Sequence, residues 1–237
     1  MEVIIKNISK NIAGNEILHN LSIDIGSGEC VGLVGPNGAG KTTLIRILLG
    51  LYQSEGTVTF NAVPKTKIKM DENKIMFMLD TSGLMRNLNV SENIEFFHRV
   101  YCKNSKSQQR KDNIDRILKK INLLEYKDAK VKTLSRGMKQ RLSLGRTMVT
   151  TPSLLIMDEP YLALDVEAQF FLTQYIKDLK DEGCTILISS HDLGHLEKIC
   201  DRVVFINKGS IVSSISISNG SKSETLEETY KKVIMRG

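Results

Sequence analysis

The chain has 237 residues, of which 25% are charged and 41% hydrophobic, with a formal net charge of +6. This is the make-up of a soluble globular fold with one large core, or a core carrying a smaller subdomain, and it excludes disordered and fibrous classes. No run approaches the ~18 consecutive apolar residues of a membrane span, and the N-terminus lacks the basic and long apolar regions of a secretory signal, so a cytoplasmic location is expected. The positive charge is local: residues 103–141 hold 13 Lys and Arg against 4 Asp and Glu, a segment charge of +9. Cys30, Cys102, Cys184 and Cys200 form no CxxC pair and read as small apolar residues in a reducing compartment.

In chain order, Leu21, Ile23 and Ile25 alternate with polar residues as in a half-exposed strand, and Gly26-Ser27-Gly28 turns the chain into the apolar run Cys30 to Val34. Gly35-Pro36-Asn37-Gly38-Ala39-Gly40-Lys41-Thr42 follows, a complete GxxxxGKT loop leading into a helical pattern from Thr43 to Leu51. A buried strand, a glycine-rich turn and a helix N-terminus together make backbone N–H groups converge on phosphate oxygens. Lys41 then reaches the β- and γ-phosphates, and the hydroxyl of Thr42 ligates Mg²⁺. A bound nucleoside triphosphate is the expectation.

Thr57 to Phe60 alternates like an antiparallel strand, whereas Ile75 to Leu79 is a short apolar run of the buried type, followed by Asp80. From Asn89 to Thr150 the pattern is helical, with Ser91 as a cap for Glu92 to Val100 and Ile114, Ile117, Leu118 and Ile121 at helical spacing. Leu154 to Met157, Thr185 to Ile188 and Val203 to Ile206 are further buried-type strands. Their recurrence predicts a P-loop α/β core with a mostly parallel sheet, an N-terminal antiparallel layer and an inserted helical subdomain. Ser213 to Ser223 reads as a polar linker, and Thr225 with Glu228 as a capping box for a short C-terminal helix. The expected division is a core over 1–88 and 151–212, a helical insertion over 89–150, and a linker with its helix over 213–237.

The strand at Leu154 ends in Asp158-Glu159, where Asp158 can orient Mg²⁺ and Glu159 can activate water. Upstream, Leu134-Ser135-Arg136-Gly137-Met138-Lys139-Gln140-Arg141 opens a helix. With the phosphate loop before it and the two acids after it, this segment resembles the LSGGQ signature of ABC transporter nucleotide-binding subunits, and the resemblance covers nearly the whole chain. It implies a Mg²⁺-dependent ATPase in which a head-to-tail dimer, of two copies or of paired ABC subunits, traps ATP at its interface. Ser135 and Gly137 of one subunit would close over the γ-phosphate held by the other's Lys41. Asp165 matches the aspartate of the D-loop, and His191 the switch histidine that contacts the γ-phosphate.

Several positions depart from the family pattern. Ile12 stands where an aromatic residue usually stacks on adenine. Asp80 replaces a glutamine near Mg²⁺ and water; a carboxylate there can ligate the metal but cannot donate a hydrogen bond while ionised. Leu162 and Ala163 replace a small D-loop pair, and Arg136 replaces a signature glycine. The acid at Asp80, the LSxGM signature and the short terminal helix resemble the subgroup with a separate permease chain, which exports drugs, antimicrobial peptides or ions. The resemblance thus implies an integral membrane permease as partner, a peripheral position on the cytoplasmic face of the membrane, and no specific nucleic acid. A weakly active or regulatory ABC module is the alternative reading. A GTPase is disfavoured because Asn207-Lys208-Gly209-Ser210 lacks the aspartate of a guanine site and reads as a hairpin turn. His191 and His195 have zinc-site spacing, but Asp192 and Gly194 suit neither the required base nor the helix.

Overall fold

The computed structural model describes residues 1–79, 83–217 and 225–235. The chain divides into two units, Met1–Ile68 with Lys180–Gly237, and Lys69–Leu179. Elements follow in chain order as β1 (Val3–Ile12), β2 (Asn15–Ile25), β3 (Cys30–Val34), α1 (Lys41–Leu48), β4 (Thr57–Phe60) and β5 (Val63–Pro64). The second unit supplies β6 (Ile75–Met78), α2 (Val90–Tyr101), α3 (Ser107–Lys120), α4 (Arg136–Thr147), β7 (Leu154–Asp158) and most of α5 (Val166–Asp181). The first resumes with β8 (Thr185–Ser189), α6 (Leu193–Ile199), β9 (Arg202–Asn207), β10 (Ser210–Ser216) and α7 (Leu226–Tyr230).

In the first unit β2, β1, β4 and β5 form an antiparallel sheet in that order. Alternation in β1 and β2 buries Val3, Ile5, Ile8, Leu18, Leu21 and Ile25 and turns the polar residues outward, as a sheet with one covered face requires. A second sheet has β3 between β8 and β9, parallel to both, with Leu33 opposite Ser189 on one side and Val204 on the other. All five residues of β3 are buried, which matches its unbroken apolar run. Each fully buried Val or Leu there contributes about 1.5–3 kcal/mol of transfer free energy. The hairpin at Lys208 and Gly209, with φ of 43° and 77°, then adds β10 antiparallel to β9.

In the second unit β6 and β7 pair in parallel and group with helices α2 to α5. The structure is thus a mixed α/β fold with an antiparallel sheet and a mostly parallel one, as the strand patterns predict. Among the described residues no helix is long and apolar enough to cross a membrane.

Two local expectations are corrected. Residues 213–216 are strand, not linker: backbone pairing with β9 overrides a serine-rich sequence that local propensity reads as coil. The cap of α2 is Asn89, not Ser91; Asn89 accepts from Glu92 N at 2.7 Å and Glu92 accepts from Asn89 N at 2.7 Å. The capping box at Thr225 and Glu228 forms as expected. Cys30, Cys184 and Cys200 are buried, and the fold brings Cys30 and Cys200 to an Sγ separation of 3.9 Å.

Candidate functional site

In the first unit the site begins where β3 ends. A Cβ at Gly35 would lie 2.1 Å from the Ile206 carbonyl oxygen, so only glycine lets the loop leave β3 this close to β9. The loop closes with Ala39 N donating to Pro36 O at 3.1 Å, and it is anchored by Gly209 N donating to Ala39 O at 3.1 Å. Gly40, at φ 106°, caps α1 with no side-chain hydrogen bond, and the first turn of α1 holds no acidic residue. An anion at this end would meet the positive end of the helix dipole with no acidic side chain in the first turn opposing it.

Lys41 is buried, and its Nζ donates to Gly35 O at 2.6 Å and Pro36 O at 3.2 Å, which holds the ammonium inside the loop. Thr42 is exposed and Thr43 half-buried at the helix start, while Asn37 and Gly38 form the exposed tip. A helix N-terminus with no acidic residue in its first turn, beside a lysine ammonium held inside a glycine loop, suits a polyphosphate.

His191 follows β8, the strand beside β3, and is exposed. Its segment is fixed by Ser190 N donating to Leu33 O at 3.2 Å and by Asp192 N donating to Ser190 Oγ at 3.0 Å. The phosphate loop and His191 thus leave the C-terminal ends of adjacent parallel strands, the edge at which such sheets bind ligands. His195 instead pairs with Asp192, the cap of α6, at 2.9 Å. Ile12 is the last residue of β1, opposite Asn15 across a tight turn through Ala13 and Gly14, and is 37% exposed.

In the second unit β7 ends at Asp158, and Asp158 and Glu159 are both half-buried. Glu159 has φ 47°, a left-handed conformation that redirects the chain at the strand end. Ser135 caps α4 by accepting from Met138 N at 3.2 Å. Asp165 has both carboxylate oxygens engaged within its own unit: one accepts from Ala168 N at 2.9 Å and the other from Arg141. The Ala168 amide first, and Arg141 second, hold the Asp165 carboxyl below the usual carboxylate range. Asp80 lies outside the described residues.

The structure therefore brings Lys41 and His191 together on one sheet edge, and Ser135, Gly137, Asp158, Glu159 and Asp165 into the other unit. Two features are invisible to motif reading: the partners of Gln140 and Arg141, and Arg146, buried on the apolar face of α4. The one signal for Arg146 in the sequence is a cation at helical spacing from Leu142 among buried positions.

A family model described as ABC transporter matches residues 18–162. The chain is 34% identical over 234 residues to the uncharacterized ABC transporter ATP-binding protein YdbJ of Bacillus subtilis, covering 98% of this chain and 72% of the relative. It is 32% identical over 215 residues to the sulfate/thiosulfate import ATP-binding protein CysA of Escherichia coli, of which it spans 59%. A dimeric post-hydrolysis structure of the ATP-binding cassette MJ0796, bound to ADP and Pi, superimposes with a TM-score of 0.82 at 25% identity, over 92% of this chain and 99% of the other. The chain belongs to the ABC transporter family of ATP-binding proteins.

Proposed function

We propose that the chain is the Mg²⁺-dependent ATPase subunit of an exporter of drugs, antimicrobial peptides or ions, acting on a separate permease at the cytoplasmic face of the membrane. The observation that carries the ATPase reading is the phosphate loop: Gly40 starts α1 in a left-handed conformation with no acidic residue in its first turn, and the Lys41 ammonium is held inside the loop. Gly35 to Thr43 bind the phosphates, with Thr42, Asp158 and Asp80 as the residues assigned to the metal. Mg²⁺, when bound, neutralises charge on the phosphates. Glu159 takes a proton from the attacking water, and Lys41 and His191 stabilise charge on the transferring γ-phosphate. Ser135 and Gly137 of an opposing subunit complete the site, which makes a transient dimer the active unit. The dimeric state of the related cassette supports this. The basic segment within 89–150 serves docking beside the permease, where each Lys or Arg near an anionic surface contributes about 1 kcal/mol.

The test is Glu159→Gln in the full chain. It is expected to bind ATP and accumulate as a dimer on a sizing column while hydrolysis falls by about 10² or more. Hydrolysis at the wild-type rate would remove Glu159 as the base. Import is the second reading, favoured by the similarity to a sulfate/thiosulfate import subunit. Inverted vesicles carrying the chain with its permease separate the two, since ATP added outside drives accumulation of cargo for an exporter and release for an importer.

A further inference from the structure

Three contacts join the first two turns of α4 to the loop from Glu159 to Asp165. At Gly137 the approach is close enough that a Cβ would lie 3.1 Å from the Ala163 carbonyl oxygen. Gln140, only 4% exposed, donates its side-chain amide to Pro160 O at 3.2 Å. Arg141, with a side chain 14% exposed, pairs with Asp165. Residues 137, 140 and 141 are spaced to share one helix face, so α4 grips the loop at its start, middle and end.

The start of α5 also holds the far half of the loop, with Ala168 N donating to Asp165 Oδ1 at 2.9 Å and Gln169 Nε2 to Leu164 O at 3.2 Å, while Gln140 reaches the near end at Pro160. The loop's internal backbone bonds run from Leu162 N to Glu159 O at 3.1 Å and from Leu164 N to Tyr161 O at 3.2 Å. It also carries two non-glycine residues in the left-handed region, Glu159 at φ 47° and Ala163 at φ 64°. Such residues are strained and persist where surrounding contacts over-determine the backbone. Pro160, the first residue gripped, is covalently next to Glu159, so the Gln140 contact acts one peptide bond from the residue that carries the carboxylate.

We propose that Gln140 and Arg141 are positioning residues for ATP hydrolysis: from the helix capped by Ser135 they hold the loop that aims the Glu159 carboxylate, and they take no part in holding nucleotide. This rests on the ATPase reading above. Because Ser135 caps the same helix, a displacement of α4 at its N-terminus is passed to Glu159 through Gln140 and Arg141.

The experiment uses the full chain as wild type, Gln140→Met, Arg141→Met and Arg141→Lys. The methionine variants keep the stem volume and remove the polar contact, and the lysine variant keeps the cation. Turnover is measured over a range of MgATP concentrations, and hydrogen exchange is followed in peptides spanning 159–165. Either methionine variant is expected to lower kcat about tenfold with KM within about twofold, and to speed exchange in that loop. Arg141→Lys is expected to recover most of kcat. Unchanged kcat, a loss confined to KM, or unchanged exchange in the loop overturns the proposal while leaving the ATPase reading intact. A wild type without turnover sinks that reading and the proposal with it, and this is visible before any variant is compared.

Discussion

The guanidinium carbon of Arg146 lies 4.4 Å from the centroid of the Phe97 ring, so a buried cation joins α4 to α2. Arg146 is 1% exposed, and its Nη1 donates to Gly83 O at 2.6 Å. Burial pushes its pKa down to about 10, opposed by Tyr101, and it remains charged at neutral pH. A desolvated cation over an aromatic face is worth about 2 kcal/mol. Arg146→Ala removes the ring contact and the carbonyl bond and opens a cavity, so a loss of about 3 kcal/mol is expected in denaturant unfolding. Arg146→Met keeps most of the stem and removes the desolvation cost, and is expected to lose about half as much. A smaller loss for alanine than for methionine would show that volume is not what the site needs.

His98 gives the helical region a defined acid sensitivity. It is 3% exposed, with Nδ1 at 3.5 Å from Ser105 Oγ. Burial, then the charge of Arg110, holds its pKa below the ordinary 6.5, while its own backbone and Glu95 act the other way. The unfolded chain therefore binds a proton at a higher pH than the folded one. The stability linked to His98 is complete above pH 6.5 and is lost as pH falls through the lower folded value. Urea unfolding at pH about 7.5 and about 5.5 is expected to show this fall in wild type and a shallower one in His98→Asn. Parallel slopes would place the titrating group elsewhere.

The two inner glycines of the phosphate loop are predicted to differ. Gly38, at φ 81°, has no atom within 4 Å of a would-be Cβ, so Gly38→Ala meets only backbone strain of about 1–2 kcal/mol. Gly40, at φ 106°, would place a Cβ 2.5 Å from Leu18 Cδ2 and 3.3 Å from Ile17 O. Gly40→Ala adds overpacking of about 1–3 kcal/mol and displaces the first N–H groups of α1. Thermal shift with and without ATP is expected to rank Gly40→Ala well below Gly38→Ala in both stability and nucleotide-induced stabilisation. Equal behaviour would mean the hairpin carrying Leu18 yields easily.

Ile12 tests how adenine is read. An aliphatic side chain at the end of β1 cannot stack as an aromatic ring does, and phosphate contacts do not depend on the base. Ile12→Tyr is expected to strengthen ATP binding by about 0.5–1.5 kcal/mol, and wild type to discriminate poorly between ATP and GTP. Titration of both nucleotides checks this. A wild type preferring ATP a hundredfold would assign adenine recognition to another group.

What the sequence by itself determined lies within a few residues of itself. The phosphate loop, the strand ending in Asp158-Glu159, the hairpin at Lys208-Gly209 and the capping box at Thr225 are local arrangements whose geometry is set by φ preferences, strand alternation and i to i+3 hydrogen bonds. Even there, the reading of Ser91 as the cap of α2 gave way to Asn89, whose backbone N–H Glu92 answers. Tertiary structure decided the rest. The serine-rich stretch after Gly209 became β10 because β9 offered a backbone ladder, and Arg141 found Asp165, 24 residues on, because α4 packs against the loop that follows β7. Arg146 is a surface residue by type and a core residue by position, since only the packing of α4 on α2 fixes which of its faces is denied water.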